Sequence, residues 1–536
     1  MRDWSPASAV RWLFASEQGK TDGLLPRWIF LRALGLIYYS AFFSLAFQIR
    51  GLIGPQGILP ANEYLRAVAE QFGRAGYWYA PTLLWLSNSP HMLMGICWVG
   101  MITSVLLVLN LWPRGMLAIC FVCFLSFISA AQDFSAYQSD GMLLEAGFIA
   151  LFFAPRGFRP RWGEASPPSR ASWFLLVWEC FRIYFESGVA KMVGGDPEWR
   201  NFTALDEYYQ NGPLPTWIGW YLQHWPHWFH AATAFGTLAL ELVLAWMMFL
   251  PRRFRIACFC IVTPWQLGII LSANYTFLNY LVLALGFLLL DDNVLQRFMT
   301  ERWKSKFLAG QEVKPVAEAN SEKNWRDTLR KQWAAVKLAV TAVMLAWIFY
   351  VTAVQLVWMM KPVELPMPPI SALAPLRIAN RYGLFAMMTR GRYEIEFQGS
   401  DDGQKWLVYP FRFKPQDPAK APGIYAPYQP RFDWNLWFAS LSTWRQEPIV
   451  PRTEQALLRG APDVLLLFAG NPFPKAPPRQ VRAVLWQYWF TTPEEKHAQG
   501  LWWRREQLGL YAPTLEREED GRIVVLQWPA MMEPRE

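Results

Sequence analysis

The chain has 536 residues, of which 53% are hydrophobic and 16% aromatic. Only 17% are charged, against roughly 25% in a soluble domain, and the apolar residues fall in long blocks, which excludes a soluble enzyme and points to a polytopic membrane domain with an appendage. The formal charge of +9 does not mark a nucleic-acid binder, because no run of bases interleaved with aromatics follows a groove-binding pattern.

Residues 1–27 lack the charged start, short apolar core and small-residue cleavage site of a removable signal, so the first span is expected to serve as its own uncleaved signal. Stretches long or apolar enough to span lie near 28–49, 92–112, 115–131, 141–155, 171–191, 231–250, 256–272, 275–290 and 337–360, about nine in all. Lys and Arg cluster in alternate loops. Arg2, Arg11, Lys20 and Arg27 precede the first span, Arg156, Arg159, Arg161 and Arg170 follow the fourth, Arg252, Arg253 and Arg255 follow the sixth, and 291–336 is basic. This alternation predicts a cytoplasmic N-terminus (1–27), a membrane domain over 28–290, a cytoplasmic loop over 291–336, a last span over 337–360 and an exported C-terminal region.

Charges inside the spans are costly and mark sites. Asp140 and Glu145 open the fourth span, where Glu145 needs a partner such as Arg182 or Arg32. In WFLLVWECFRIYFESGVAK (173–191), Glu179, Arg182 and Glu186 are three and four apart, so they share one helical face and compensate one another. Asp140, Glu145, Glu179, Arg182 and Glu186 thus form a buried polar network. Lys191 leaves that stripe. It reads either as a lysine snorkelling to water or as a desolvated base. All six cysteines lie in predicted spans, and Cys120-Phe-Val-Cys123 reads as helix packing, since no His pair accompanies it. His224, His227 and His230 are spaced by threes, but Pro226, Trp225 and Trp228 suit an interfacial belt better than a metal site, and no metal is expected.

Beyond the spans, 361–376 is a Pro-rich, semi-rigid linker. The exported domain, 377–500, alternates as strands: Arg392 to Phe397, a Ser400-Asp401-Asp402-Gly403 turn, Trp406 to Phe413 returning, and Val481 to Phe490. Asp433 to Ser442 has helical spacing. The fold class is therefore an α-helical membrane protein with an exported α+β or sandwich-like domain, and 501–536 reads as a tail packing partly on that domain.

Several of these residues sit in recognisable text: Asp140-x-x-Leu143-Leu144-Glu145-x-Gly147, Gly188-x-x-Lys191, Trp199-Arg200, Tyr208, Pro213-x-Pro215, His224, Trp228-Phe229-His230, Asn274-Tyr275-x-Phe277-Leu278-Asn279 and Asp291-Asp292. The exported region adds Asn380-x-Tyr382-Gly383-x-Phe385, Pro427-Tyr428, Arg431-x-Asp433-Trp434, Trp437-Phe438-Ala439 and Asn471-Pro472-Phe473. In this order, over nearly the whole chain, they resemble the lipase maturation factor family, whose studied members are chaperone-like proteins of the endoplasmic reticulum membrane with bacterial relatives. The resemblance implies a maturation or folding factor with exported clients such as lipases, in contact with membrane lipid, with no reaction and no cofactor. It also implies a client-contacting C-terminal domain, where Tyr382, Tyr428, Trp434 and Trp437 are either a client surface or core residues. The absence of cysteines from the exported side departs from an oxidising lumen and suggests a bacterial cytoplasmic membrane with a periplasmic C-terminal domain.

A shorter stretch, Tyr184-Phe185-x-x-Gly188-Val189-x-Lys191, with the weaker Gly51-Leu52-x-Gly54-Pro55-x-Gly57, is similar to the vitamin K-dependent γ-carboxylases and their bacterial horizontally transferred transmembrane domain relatives. That resemblance implies an alternative: a membrane enzyme using Lys191 as the base on a quinol- or lipid-like substrate.

Overall fold

The computed structural model describes residues 5–311, 325–361 and 366–530. The first long helix, Leu24–Ala46, packs on Pro90–Val108, which packs on Pro113–Ile128, then Gln138–Phe153, then Arg170–Val193. This last helix is central, because it also meets His227–Leu242, Leu278–Gly286 and Trp325–Met360. Local chemistry sets several starts. Ser89 and Ser169 accept the N–H groups of Met92 and Ser172, satisfying donors that a helix leaves unpaired at its N-terminus.

Among the described residues, five helices are long and apolar enough to cross a membrane: Leu24–Ala46, Pro90–Val108, His227–Phe249, Arg252–Ser272 and Thr328–Met360. A sixth arises if Leu278–Leu289 and Asp292–Phe298, bent by 101°, count as one. The nine spans expected from the sequence are therefore not all found. Pro113–Ile128 and Gln138–Phe153 have only 16 residues each, and the 24-residue central helix carries too many charges. The last long helix begins at Trp325, so its first turns lie within the stretch expected to be loop. The rest of that basic loop (312–324) and part of the linker (362–365) lie outside the described residues.

The C-terminal domain is built on one antiparallel sheet with strands β1 Arg392–Ser400, β2 Leu407–Val408, β3 Gln480–Phe490, β4 Trp503–Leu510, β5 Thr514–Arg517 and β6 Ile523–Gln527. The order is β2-β1-β3-β5-β6, with β4 also on β3. Helices Arg431–Ser440 and Ile449–Leu458 pack against β1 and β3, so the domain is α+β, with one sheet where a sandwich needs two. The expected hairpin is present, with Asp402 Oδ1 accepting the N–H groups of Gln404 and Lys405. Its return strand is only two residues long, since Pro410 cannot donate to a ladder. The region from 501 is no tail. Trp503 is buried, and β4, β5 and β6 form half the sheet. The sequence alone does not show this because β4 carries a charged, half-exposed face and β5 and β6 are only four and five residues long.

Candidate functional site

Of the residues expected to form a polar network, Glu145, Arg182 and Glu186 lie together, and their further partners come from the C-terminal domain. Arg182, fully buried, binds Glu145 directly and donates to the Asn380 carbonyl at 2.6 Å. The other Glu145 oxygen accepts the Asn380 N–H (2.9 Å), its side-chain amide (3.1 Å) and the Tyr382 hydroxyl (2.9 Å). Glu186 lies 3.7 Å from Arg182 and accepts the Tyr382 N–H at 2.6 Å. The stripe expected to compensate itself does so only in part. Neither oxygen of the fully buried Glu179 meets a donor in hydrogen-bonding geometry. Arg32, the other candidate for Glu145, stacks on Trp28 instead. Asp140 forms a bidentate pair with Arg431, both contacts 2.7 Å, and Arg431 also donates to the Phe134 carbonyl.

Lys191 is 1% exposed, which rules out snorkelling to water. Its ammonium donates to both oxygens of Glu241 at 2.9 Å and to the Leu384 carbonyl at 3.0 Å. A base needs a neutral amine with an open lone pair, and this geometry engages all three donors of a charged one. The enzyme alternative therefore gains no support at Lys191. Gly188 makes the pair possible, since a Cβ there would lie 2.9 Å from Glu241 Cβ.

From Lys191 the same pattern continues across the end of the bundle. The Trp199 indole donates to the Phe385 carbonyl (2.9 Å), Asp196 accepts the Met388 N–H (2.7 Å) and Asn211 donates to the Thr389 carbonyl (2.8 Å). Arg392 returns the grip by donating to the Gln210 and Pro213 carbonyls. Asn274 holds a second, irregular stretch of the domain: its amide donates to the Gly423 carbonyl, and its oxygen accepts the N–H groups of Tyr425 and Ala426. At the end of the first long helix, Gln48 binds the Gln429 carbonyl and the Phe432 N–H. Gly51 lets Asp463 approach, as a Cβ there would lie 2.4 Å from the Asp463 carbonyl.

Other predicted residues fall elsewhere. Phe277 is core, and Asn279 donates to Gln266, which donates to the Tyr184 hydroxyl. Arg200 caps the Met192 carbonyl. The three histidines face three different partners, His224 the Trp220 carbonyl, His227 Asp206 and His230 the Trp225 carbonyl. Tyr382, Trp434 and Trp437 are buried, and Tyr428 is half-buried against Gln48, so these aromatics are seam residues and do not form an open client surface. Asp433 accepts the N–H groups of Phe413 and Lys414, which hold its carboxyl down, yet burial pushes it up to about 6. Sequence reading missed Glu241, Arg392 and Gln48. Glu241 was findable as a carboxylate inside an apolar helix.

The arrangement is a seam. Charged and amide side chains of the membrane domain bind main-chain groups and an arginine of the C-terminal domain, and so fix one on the other. Residues 25–297 match the lipase maturation factor transmembrane domain, and residues 378–513 match the lipase maturation factor C-terminal domain. The chain is 32% identical to lipase maturation factor 1 of Bos taurus over 525 residues, covering 94% of this chain and 91% of that protein. It is 30% identical to lipase maturation factor 1 of Homo sapiens (92% and 88% covered) and 31% identical to lipase maturation factor 2 of Gallus gallus (91% and 81% covered). No solved structure matches it. Two domain matches that meet at the seam, and relatives aligned across both, place this chain in the lipase maturation factor family.

Proposed function

We propose that the protein is a membrane-held maturation factor for exported proteins, lipases among its clients, acting without chemistry of its own and presenting the C-terminal domain to the client. The names of its relatives support the client class. The distribution of Lys and Arg supports a cytoplasmic N-terminus and a C-terminal domain on the exported side, periplasmic in a bacterium. The observation that carries the reading is the edge of the sheet. Among the described residues β6 pairs only with β5, and Val525, Leu526 and Trp528 on and beside it are 39%, 54% and 60% exposed. Natural edges are usually shortened, charged or covered, so an apolar edge on a domain anchored at the membrane suits the addition of an extended client segment.

The test is co-expression with a secreted lipase that needs a maturation factor. Leu526→Lys with Trp528→Lys is expected to lower secreted lipase activity several-fold while membrane insertion of the factor is retained. Full activity with this variant would reject the edge as the client surface. Equal activity without the factor would reject the maturation role.

A further inference from the structure

At the end of the central helix remote from the seam lies a cavity of about 620 Å³ with a different chemistry. Its walls are Trp173, Phe174, Phe249, Leu345 and Phe349, contributed by the central helix, the end of the 227–249 segment and the last long helix. Its rim holds four cations, Lys20, Arg170, Arg252 and Arg255. Two have carboxylate partners: Arg252 binds Asp291, and Lys20 lies 3.7 Å from Asp22. Among the described residues the other two do not. Arg170 packs on Trp12 with its Nε buried and without a partner, and Arg255 forms no ion pair among the described residues. Lys20 is also held below its ordinary pKa by burial, with repulsion from Arg255 adding to the effect.

An apolar groove between membrane helices, closed at one end by unneutralised cations, is complementary to a ligand with a fatty chain and an anionic head. We infer that the groove is a binding site for one anionic phospholipid, drawn from the leaflet remote from the C-terminal domain, with its phosphate at Arg170 and Arg255 and an acyl chain along Trp173, Phe249 and Phe349. Basic pockets between membrane helices select such head groups in this way. A phosphate at Arg255 would also offset that cation's repulsion of Lys20. The bound lipid would tie the last long helix to the central one and to the helix Pro6–Phe14, which also packs on both.

The test uses the full chain in nanodiscs of phosphatidylcholine with one quarter phosphatidylglycerol, released into native mass spectrometry. The wild type is expected to retain one phosphatidylglycerol in preference to phosphatidylcholine, and Arg170→Gln with Arg255→Gln to lose that preference about tenfold. Ala346→Trp, at an exposed position on the groove wall, leaves every cation in place and is expected to lower retention of both lipids by blocking the chain. Equal retention of the two lipids by the wild type, an unchanged preference in the arginine variant, or displacement of the lipid by millimolar inorganic phosphate alone would each overturn the inference.

Discussion

The two ends of the central helix carry similar charges and treat them in opposite ways. Towards Lys191, charged side chains are sealed from water, and most are answered by atoms of a second domain. Towards Arg170, about 30 Å away at 1.5 Å per residue, the charges ring an open cavity, and two have no carboxylate partner among the described residues. A charge at membrane depth therefore does not by itself report catalysis. What distinguishes a structural charge from a binding one is whether the protein supplies the counter-charge.

The largest effect is expected where the counter-charges would be stranded. Arg182→Met leaves Glu145 and Glu186 without their guanidinium in a dry seam and is predicted to cost about 3–5 kcal/mol, read as a lower unfolding temperature in detergent and loss of protease protection of the C-terminal domain. If stability is unchanged, the seam is not held by charge. Lys191→Met is expected to destabilise by about 3 kcal/mol because it strands Glu241. Adding Glu241→Gln should recover more than half of that loss, a rescue that a catalytic lysine would not show in function.

Within the C-terminal domain, Asp433 gives a pH test. Its folded pKa of about 6 lies above the ordinary carboxylate value, so the fold favours the protonated form. That stability is complete below about pH 4 and is lost as pH rises through 6, by about 3 kcal/mol for a shift of about two units. Asp433→Asn, which keeps an oxygen to accept the two backbone N–H groups, should reduce the pH dependence in urea titrations by that amount. The smallest effect belongs to the other end of the helix. Arg170→Gln should change stability by about 1 kcal/mol or less in lipid-free detergent, since no ion pair is broken. A loss as large as that of Arg182→Met would erase the contrast between the two ends.

Much of this was legible in the sequence. Asp140, Glu145, Arg182, Glu186 and Lys191 stood out because charge in an apolar run is costly, and the strands at 392 and 481 and the helix near 433 followed from their periodicity. Their partners were not legible. Asp140 finds Arg431 across 291 residues of chain, and Lys191 finds Glu241 across 50, and no local pattern encodes such distances. Strands β4 to β6 escaped for two reasons: β4 is half-exposed and charge-rich, so it lacks a clean alternation, while β5 and β6 are only four and five residues long. Apolar content marks burial equally well in lipid and in protein, so sequence alone does not separate spans from helices such as the 16-residue pair that neighbouring helices cover.

By itself the sequence determined that the protein lives in a membrane, that costly charges sit at chosen depths, and that a separate α+β domain follows. Those are consequences of composition and of local period. Only the tertiary structure decided what the charges are for. A buried charge is defined by what faces it, and here the facing groups are the main chain at 380–392, Arg431 and Glu241, brought together by folding.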